Sequence, residues 1–258
     1  MTQSEPRVTI EVNDGIAEVV LNRPDKMNAL DAAMFEGILG AIDEIGGRDD
    51  VHVVVLSGAG RSFCAGIDLA YLGDPANLGD LNVRTHGDAN MFQQVAWGWR
   101  TIDVPVIAAL HGVVFGGGLQ IALGADIRIA EPATKLAVME ARWGLVPDMA
   151  GYPLLRGCVR GDVARELVYT GRQVSGAEAA EIGLVTRTAE DPHAEAMRLA
   201  REILGSSRAS LVAAKRIFSL ALDDCAPAAD VLLAESREQQ VLLTSDEPRK
   251  RLTAALGG

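Results

Sequence analysis

The sequence predicts an α/β protein, with a βα core over about the first 190 residues and an all-helical region after it. Two patterns and one bulk property carry this. Strand-like and helix-like segments alternate as far as about Gly151, and beyond it successive segments read as helices. Of the 258 residues, 48% are hydrophobic, which is enough to build a sizeable core. Glycines number 27 and aromatics make up only 4%, so the packing expected is close backbone approach and not a core of large rings.

The elements follow from local signals, taken in chain order. Val8–Val12 and Ile16–Leu21 are β-rich runs around Asn13-Asp14-Gly15, a hairpin signal. Asp31 is placed to cap a helix that runs to about Ile45 and stops at Gly46-Gly47. Val51–Leu56 is a continuous apolar run, as in a buried strand. Residues 57–66 are a Gly/Ser loop. Residues 72–87 show no period and read as a surface segment. A helix is expected over 88–102 and a strand over Val106–Leu110. Gly116-Gly117-Gly118 opens a second apolar helix, followed by strands at Ile127–Ala130 and Leu136–Met139. Helices are then expected over 162–170, 175–182, 193–204, 208–223 and 227–243, with Ser175 and Glu178 as a capping box. The last of these carries Val231, Leu232, Leu233, Val241, Leu242 and Leu243, a stripe that suits a core or a subunit interface.

Bulk properties narrow the function. The formal net charge of −11 argues against nucleic acid as a partner, since phosphate backbones need basic stripes. It leaves room for a phosphorylated ligand held by a few local cations. The three cysteines, Cys64, Cys158 and Cys225, are widely spaced with no metal-like pair, which reads as reduced thiols in the cytoplasm. The N-terminus lacks an apolar signal core, and no apolar stretch is long enough to span a bilayer.

Three segments carry the chemistry: Ser62 to Leu69, His111 to Gln120 and Met139 to Asp148. The triple glycine between a strand and a helix lets a ligand approach the backbone, where unpaired N–H groups and the helix dipole favour an anionic oxygen. A tight packing turn is the plainer alternative. The spacing does not fit a dinucleotide-binding loop. The loop Ala65-Gly66-Ile67-Asp68 is the second of this kind. Together the two loops could offer two N–H donors to one oxygen, which is an oxyanion hole.

With these residues in view, the chain resembles the enoyl-CoA hydratase/isomerase (crotonase) family along nearly its whole length. The resemblance rests on Asn22-Arg23-Pro24 through Asn28-Ala29-Leu30, on Phe63 to Leu69, on Gly112 to Asp126 and on Gly144 to Pro147. It extends to Tyr169-Thr170-Gly171-Arg172, Ala177-Glu178-Ala179 and Gly183-Leu184-Val185. It implies a spiral of ββα units over residues 1–190 and a helical trimerisation region over 191–258, in a trimer or a dimer of trimers. The implied substrate is a CoA thioester, with no other cofactor and no metal. Its carbonyl oxygen would lie between the N–H groups of Ile67 and Gly117. Ala29, Cys64, Ala65, Gly66, Asp68 and Gly116 would border it, and Arg23 and Lys26 are candidates for the CoA phosphates. As exposed cations, those two are more often just solvated charges. The basic tail ends at Arg249-Lys250-Arg251 and is shorter than the family's.

Hydratases of this family carry two glutamates, at the positions of Gln120 and Glu140 here. Glutamine can hold water or substrate but has no useful basicity. One carboxylate beside an oxyanion hole suits proton shuttling, that is, double-bond isomerisation. Asp148 stands where dienoyl-CoA isomerases of the family carry an aspartate, although it would also serve as a turn residue after Pro147. Isomerisation therefore ranks above hydration, and a non-catalytic binding protein ranks below both. The apolar flanks of Glu140 point to a partly buried carboxyl with a raised pKa. Arg142 is read as a solvated charge or as a partner of either carboxylate, His111 as structural and Asp126 as fixing the turn after the glycine helix. His86, Phe92, Trp97 and Trp99 either line an acyl pocket or pack.

Overall fold

The computed structural model describes residues 5–221 and 226–256. Strands β1 (Val8–Asn13) and β2 (Ile16–Leu21) form an antiparallel hairpin with Asn13 opposite Ile16. Asp14 and Gly15 both take positive φ, as a two-residue hairpin turn of this hand requires. Helix α1 (Ala32–Gly46) starts where the Asp31 carboxylate accepts the Met34 N–H at 2.9 Å. Strand β3 (Val53–Gly58) begins and ends two residues later than the apolar run suggests. The register explains this, because Ile16 pairs with Val53 and Leu21 with Gly58. After α2 (Leu69–Leu72), helix α3 (Met91–Thr101) opens on a full capping box between Asn90 and Gln93.

Strands β4 (Val106–Leu110) and β5 (Val113–Phe115) lead into α4 (Gly117–Gly124), all of whose residues are buried. A helix apolar on every side belongs inside a protein. Then come β6 (Ile127–Ala130), β7 (Lys135–Ala137), α5 (Gly151–Arg156), α6 (Gly161–Thr170), β8 (Val174–Ser175), α7 (Gly176–Glu181) and β9 (Arg187–Thr188). Four further helices follow: α8 (Pro192–Leu204), α9 (Arg208–Ala221), α10 (Ala228–Thr244) and α11 (Glu247–Leu256). Residues 222 and 223 of the helix expected over 208–223 lie outside the described residues, as does Cys225.

The main sheet runs β1-β2-β3-β4-β6-β9, parallel after the first hairpin, and β5-β7-β8 form a small second sheet. Alternation along the apolar strands builds two cores. Val54, Leu56, Val106, Ala108 and Leu110 pack into the larger cluster with α1, α3 and α4. Val53, Val55, Ile107, Ala109 and Ile129 face the other way, onto Ala196 and Ala200 of α8. Helix α8 is thus a layer of the sheet, whereas α10 and α11 bury no residue.

A buried lysine fastens α9 to the core. Lys215 Nζ donates to the carbonyls of Trp99 (3.0 Å) and Val104 (2.8 Å) and pairs with Asp126 at 2.8 Å, which uses all three ammonium hydrogens. Asp126 also accepts the Val106 N–H at 2.8 Å. It therefore fixes the start of β4 and the seat of α9, more than the turn after α4. Ser175 accepts the Glu178 N–H, but the expected capping box stays half made, because the Glu178 carboxylate turns to Arg172 at 2.6 Å. No helix among the described residues is long and apolar enough to cross a membrane.

Candidate active site

The two glycine loops meet because one is zipped to the other. Phe63 N–H donates to His111 O, Cys64 N–H to Val113 O and Phe115 N–H to Cys64 O, at 2.9–3.1 Å, which extends β5 by a parallel partner. Asn28 holds the same loop from behind. Its fully buried amide donates to Ala59, Ser62 and Phe63 carbonyls, and its Oδ1 accepts the Arg23 N–H at 2.7 Å. At Gly66 the chain turns with φ +92°, and a Cβ there would lie 2.8 Å from Phe115 O. No side chain fits between these two backbones.

Peptide planarity then aims two donors. The Gly66 carbonyl accepts the Leu30 N–H at 2.8 Å. In a trans peptide C=O and N–H point in opposite directions, so the Ile67 N–H faces away from Leu30. The Gly116 carbonyl accepts the Gln120 N–H at 3.0 Å as the first bond of α4, so the Gly117 N–H points out of the helix start. Neither N–H has an acceptor among the described residues. Ile67 and Gly117 both line a cavity of about 460 Å³ whose wall also includes Lys26, Ala29, Ala65, Gly66, Asp68 and Gly116. Both residues continue into an adjoining apolar cavity of about 350 Å³ with Gln120, Glu140 and Asp148.

Glu140 heads a short 3-10 turn, Glu140–Trp143, against Gly116. A Cβ on Gly116, whose φ is +51°, would sit 3.3 Å from Glu140 Oε1. Gln120 Nε2 donates to the same oxygen at 2.7 Å. Glu140 Oε2 is buried and has no hydrogen-bond partner. Burial raises the pKa of this carboxyl, the Gln120 donor opposes the rise, and the negative charge of Asp148 adds to it. The Gln120 side chain is itself buried, and its Oε1 accepts from Met149 N at 2.9 Å and Gly151 N at 3.0 Å. The segment after Glu140 thus fixes which end of the amide faces the carboxyl. Asp148 stands at the edge of the cavity. Surrounding protein atoms push its carboxyl above the usual range, while more than a third of its surface stays open to water and limits that rise.

Other expected contacts fall elsewhere. Cys64 is fully buried off the cavity wall, donates to Asn28 O at 3.1 Å, and its thiol is pushed up to about 12 by burial. It holds the loop and does not touch the cavity. Arg23 pairs with Asp68 at 2.7 Å and Asp31 at 3.4 Å, so it is neither a free phosphate contact nor a solvated charge. Lys26 is exposed at the rim. Arg142 reaches the Thr170 carbonyl and neither carboxylate. His111 bonds the Gly60 carbonyl through its ring. Phe92 lines the apolar cavity with Leu72, Leu78 and Leu81. Trp97 borders a neighbouring groove, Trp99 is in the core, and His86 bonds Thr85. Phe115, Met139, Trp143 and Leu145 also line the site. They were not singled out in the sequence, and only their nearness to the glycine and Glu140 segments marks them there.

The chain also matches known proteins in sequence and in fold. Residues 11–254 match the sequence model of the family described as enoyl-CoA hydratase/isomerase. The mitochondrial enoyl-CoA hydratase domain-containing protein 2 of Mus musculus is 33% identical over 216 residues, covering 79% of this chain and 71% of its own. The protein of Mycobacterium tuberculosis (strain ATCC 25618 / H37Rv) named probable enoyl-CoA hydratase EchA14 is 35% identical over 231 residues, covering 86% of this chain and 88% of its own. The crystal structure of an enoyl-CoA hydratase from Mycobacterium tuberculosis H37Rv superposes with a TM-score of 0.85 at 29% identity, over 97% of this chain and 96% of that one. One from Bacillus anthracis gives 0.86 at 25% identity, with the same two coverages. On its sequence match and its fold together, the chain belongs to the enoyl-CoA hydratase/isomerase family of enzymes.

Proposed function

We propose that this enzyme shifts double bonds in enoyl- or dienoyl-CoA thioesters. The pairing of Gln120 with Glu140 carries the reading. Gln120 is held as a neutral donor by two backbone N–H groups, which leaves Glu140 as the carboxylate deepest in the site, with one oxygen free. In this reading the thioester oxygen lies between the Ile67 and Gly117 N–H groups. Glu140 takes a proton from one carbon, and the C–H electron pair moves into the enolate. The proton returns to a second carbon and the double bond shifts. The two N–H donors stabilise the enolate more than the neutral thioester, so they lower the barrier; each is worth roughly 10²–10³ in rate. Asp148, across the apolar cavity, would be the second proton carrier for a dienoyl chain. Lys26 is the remaining candidate for a CoA phosphate. The reading calls on no cofactor beyond the CoA of the substrate.

The names of the relatives favour a second reading, hydration of a 2-enoyl-CoA, with Gln120 positioning water and Glu140 moving all the protons. Product mass separates the two, since isomerisation leaves it unchanged and hydration adds one water. Under either reading, Glu140→Gln should remove most turnover while CoA-ester binding persists. Retained turnover would overturn the role of Glu140, and a product heavier by one water would overturn isomerisation.

A further inference from the structure

Arg23 has three polar partners on two segments. Its Nη1 donates to Asp68 Oδ2 at 2.7 Å and to Ala29 O at 3.0 Å, and its Nε lies 3.4 Å from Asp31 Oδ2. The side chain is only 11% exposed. The two segments are the ones that orient the Ile67 N–H. Ala29 precedes Leu30, and Asp68 follows Ile67. Between them, Leu30 N–H holds Gly66 O at 2.8 Å and Asp68 N–H holds Leu30 O at 2.9 Å. Arg23 therefore closes a bracket around the bridge that turns the Ile67 N–H into the cavity, on the far side from the Ala65 N–H to Met27 O bond at 2.9 Å. Asp68 is braced further by the Ala70 N–H at 2.9 Å, and the Arg23 bond holds its carboxyl below the usual range. Asp31 in turn is shared with Arg7 at 3.0 Å and caps α1, so the bracket is anchored to a long helix.

We propose that Arg23 is a positioning residue for the oxyanion site: it clamps Ala29 to Asp68 and thereby fixes the direction of the Ile67 N–H. This rests on the reading of Ile67 and Gly117 as oxyanion donors. Misplacing a reacting group by about 1 Å can cost 10²-fold in rate. Losing the clamp should therefore lower kcat by roughly ten- to a hundredfold and leave KM nearly unchanged. Lysine is a compact point charge without the planar fork, so Arg23→Lys should recover part of the rate and not all of it.

Two measurements test this. The first is kcat and KM for Arg23→Ala and Arg23→Lys on a 3-enoyl-CoA and on the matching pantetheine thioester, which lacks the nucleotide phosphates. Lys26→Ala serves as the comparison for a phosphate contact. The clamp predicts the same fall in kcat on both thioesters, whereas a rise in KM confined to the CoA ester would overturn it. The second is the infrared carbonyl band of bound butyryl-CoA, which needs no turnover. The wild type should shift the band to lower frequency, and Arg23→Ala should shift it less. If Arg23→Ala does not fold, Arg23→Lys and Asp68→Asn carry the same comparison. A shift equally large in the variants would overturn the clamp. No shift in the wild type would overturn the oxyanion reading itself, and the proposal with it.

Discussion

Glu140 keeps one carboxylate oxygen on Gln120 and leaves the other buried without a partner, a costly arrangement for a charged group. Two measurable effects follow from it. The base must be ionised to act, so kcat/KM should rise with pH through a step above the ordinary glutamate range of about 4.3. Gln120→Leu should move that step higher still, because the Nε2 donor favours the charged form. A pH–rate profile with its step at or below the ordinary range would contradict the burial of Glu140. The same shift acts on stability. The folded chain holds the proton more tightly than the unfolded chain, so stability falls as pH rises from the ordinary glutamate value of about 4.3 through the raised value, and is fully lost only above the raised value. Glu140→Gln should therefore melt above the wild type at neutral pH, with the gap closing as pH falls towards about 4; equal melting temperatures at neutral pH would show no such cost. The apolar residues beside Glu140 made its raised pKa readable from sequence. The place of Arg23 was not readable, because its partner Asp68 is 45 residues away and nothing local distinguishes a clamped arginine from a solvated one. The place of Cys64 is hidden for a similar reason. Ala65 and Gly66, which follow it, border the cavity, while Cys64 itself packs beside Phe63 in the larger core cluster.

Elements with strong local signals were legible. The Asp14-Gly15 hairpin, the Asp31 cap and the apolar strands of the main sheet appear within about two residues of their expected bounds. Short elements were not. Strand β5 has only three residues and α5 only six, and both depend on partners distant in sequence. Strand β5 exists because Cys64 and β7 flank it. Helix α5 starts where the Gln120 oxygen receives the N–H groups of Met149 and Gly151. The ten-residue α11 is not marked either, since the local signal there is only the basic run Arg249-Lys250-Arg251. The lysine of α9 makes a prediction at this scale. Lys215→Met would remove the ammonium from the Trp99 and Val104 carbonyls and from Asp126, which keeps the Val106 N–H. Breaking a buried pair costs about 3–5 kcal/mol, and the partial exposure of Asp126 favours the lower end. Chemical denaturation should show that loss, and a change below about 1 kcal/mol would mean that water replaces the ammonium.

For the whole molecule, the helices after α8 leave apolar surface uncovered. Leu232, Leu233, Val241 and Leu243 of α10 are exposed in the single chain, so the apolar stripe seen in the sequence does not enter this chain's core. We expect it to be covered by further copies of the chain in a trimer or a dimer of trimers. Sedimentation should show such a particle, and Leu233→Glu with Val241→Glu should release smaller species; a monomer in the wild type would remove this expectation. Fold and family were legible because motifs along nearly the whole chain agree with the alternation of strands and helices. The reaction is harder to read, since it turns on one amide in place of a carboxyl at residue 120. The absorbance of three substrates tests that point most directly: crotonyl-CoA, a 3-enoyl-CoA and a 3,5-dienoyl-CoA. Isomerisation predicts new conjugated absorbance from an unconjugated substrate with crotonyl-CoA left intact. Rapid loss of the crotonyl absorbance would contradict it and make the enzyme a hydratase despite Gln120.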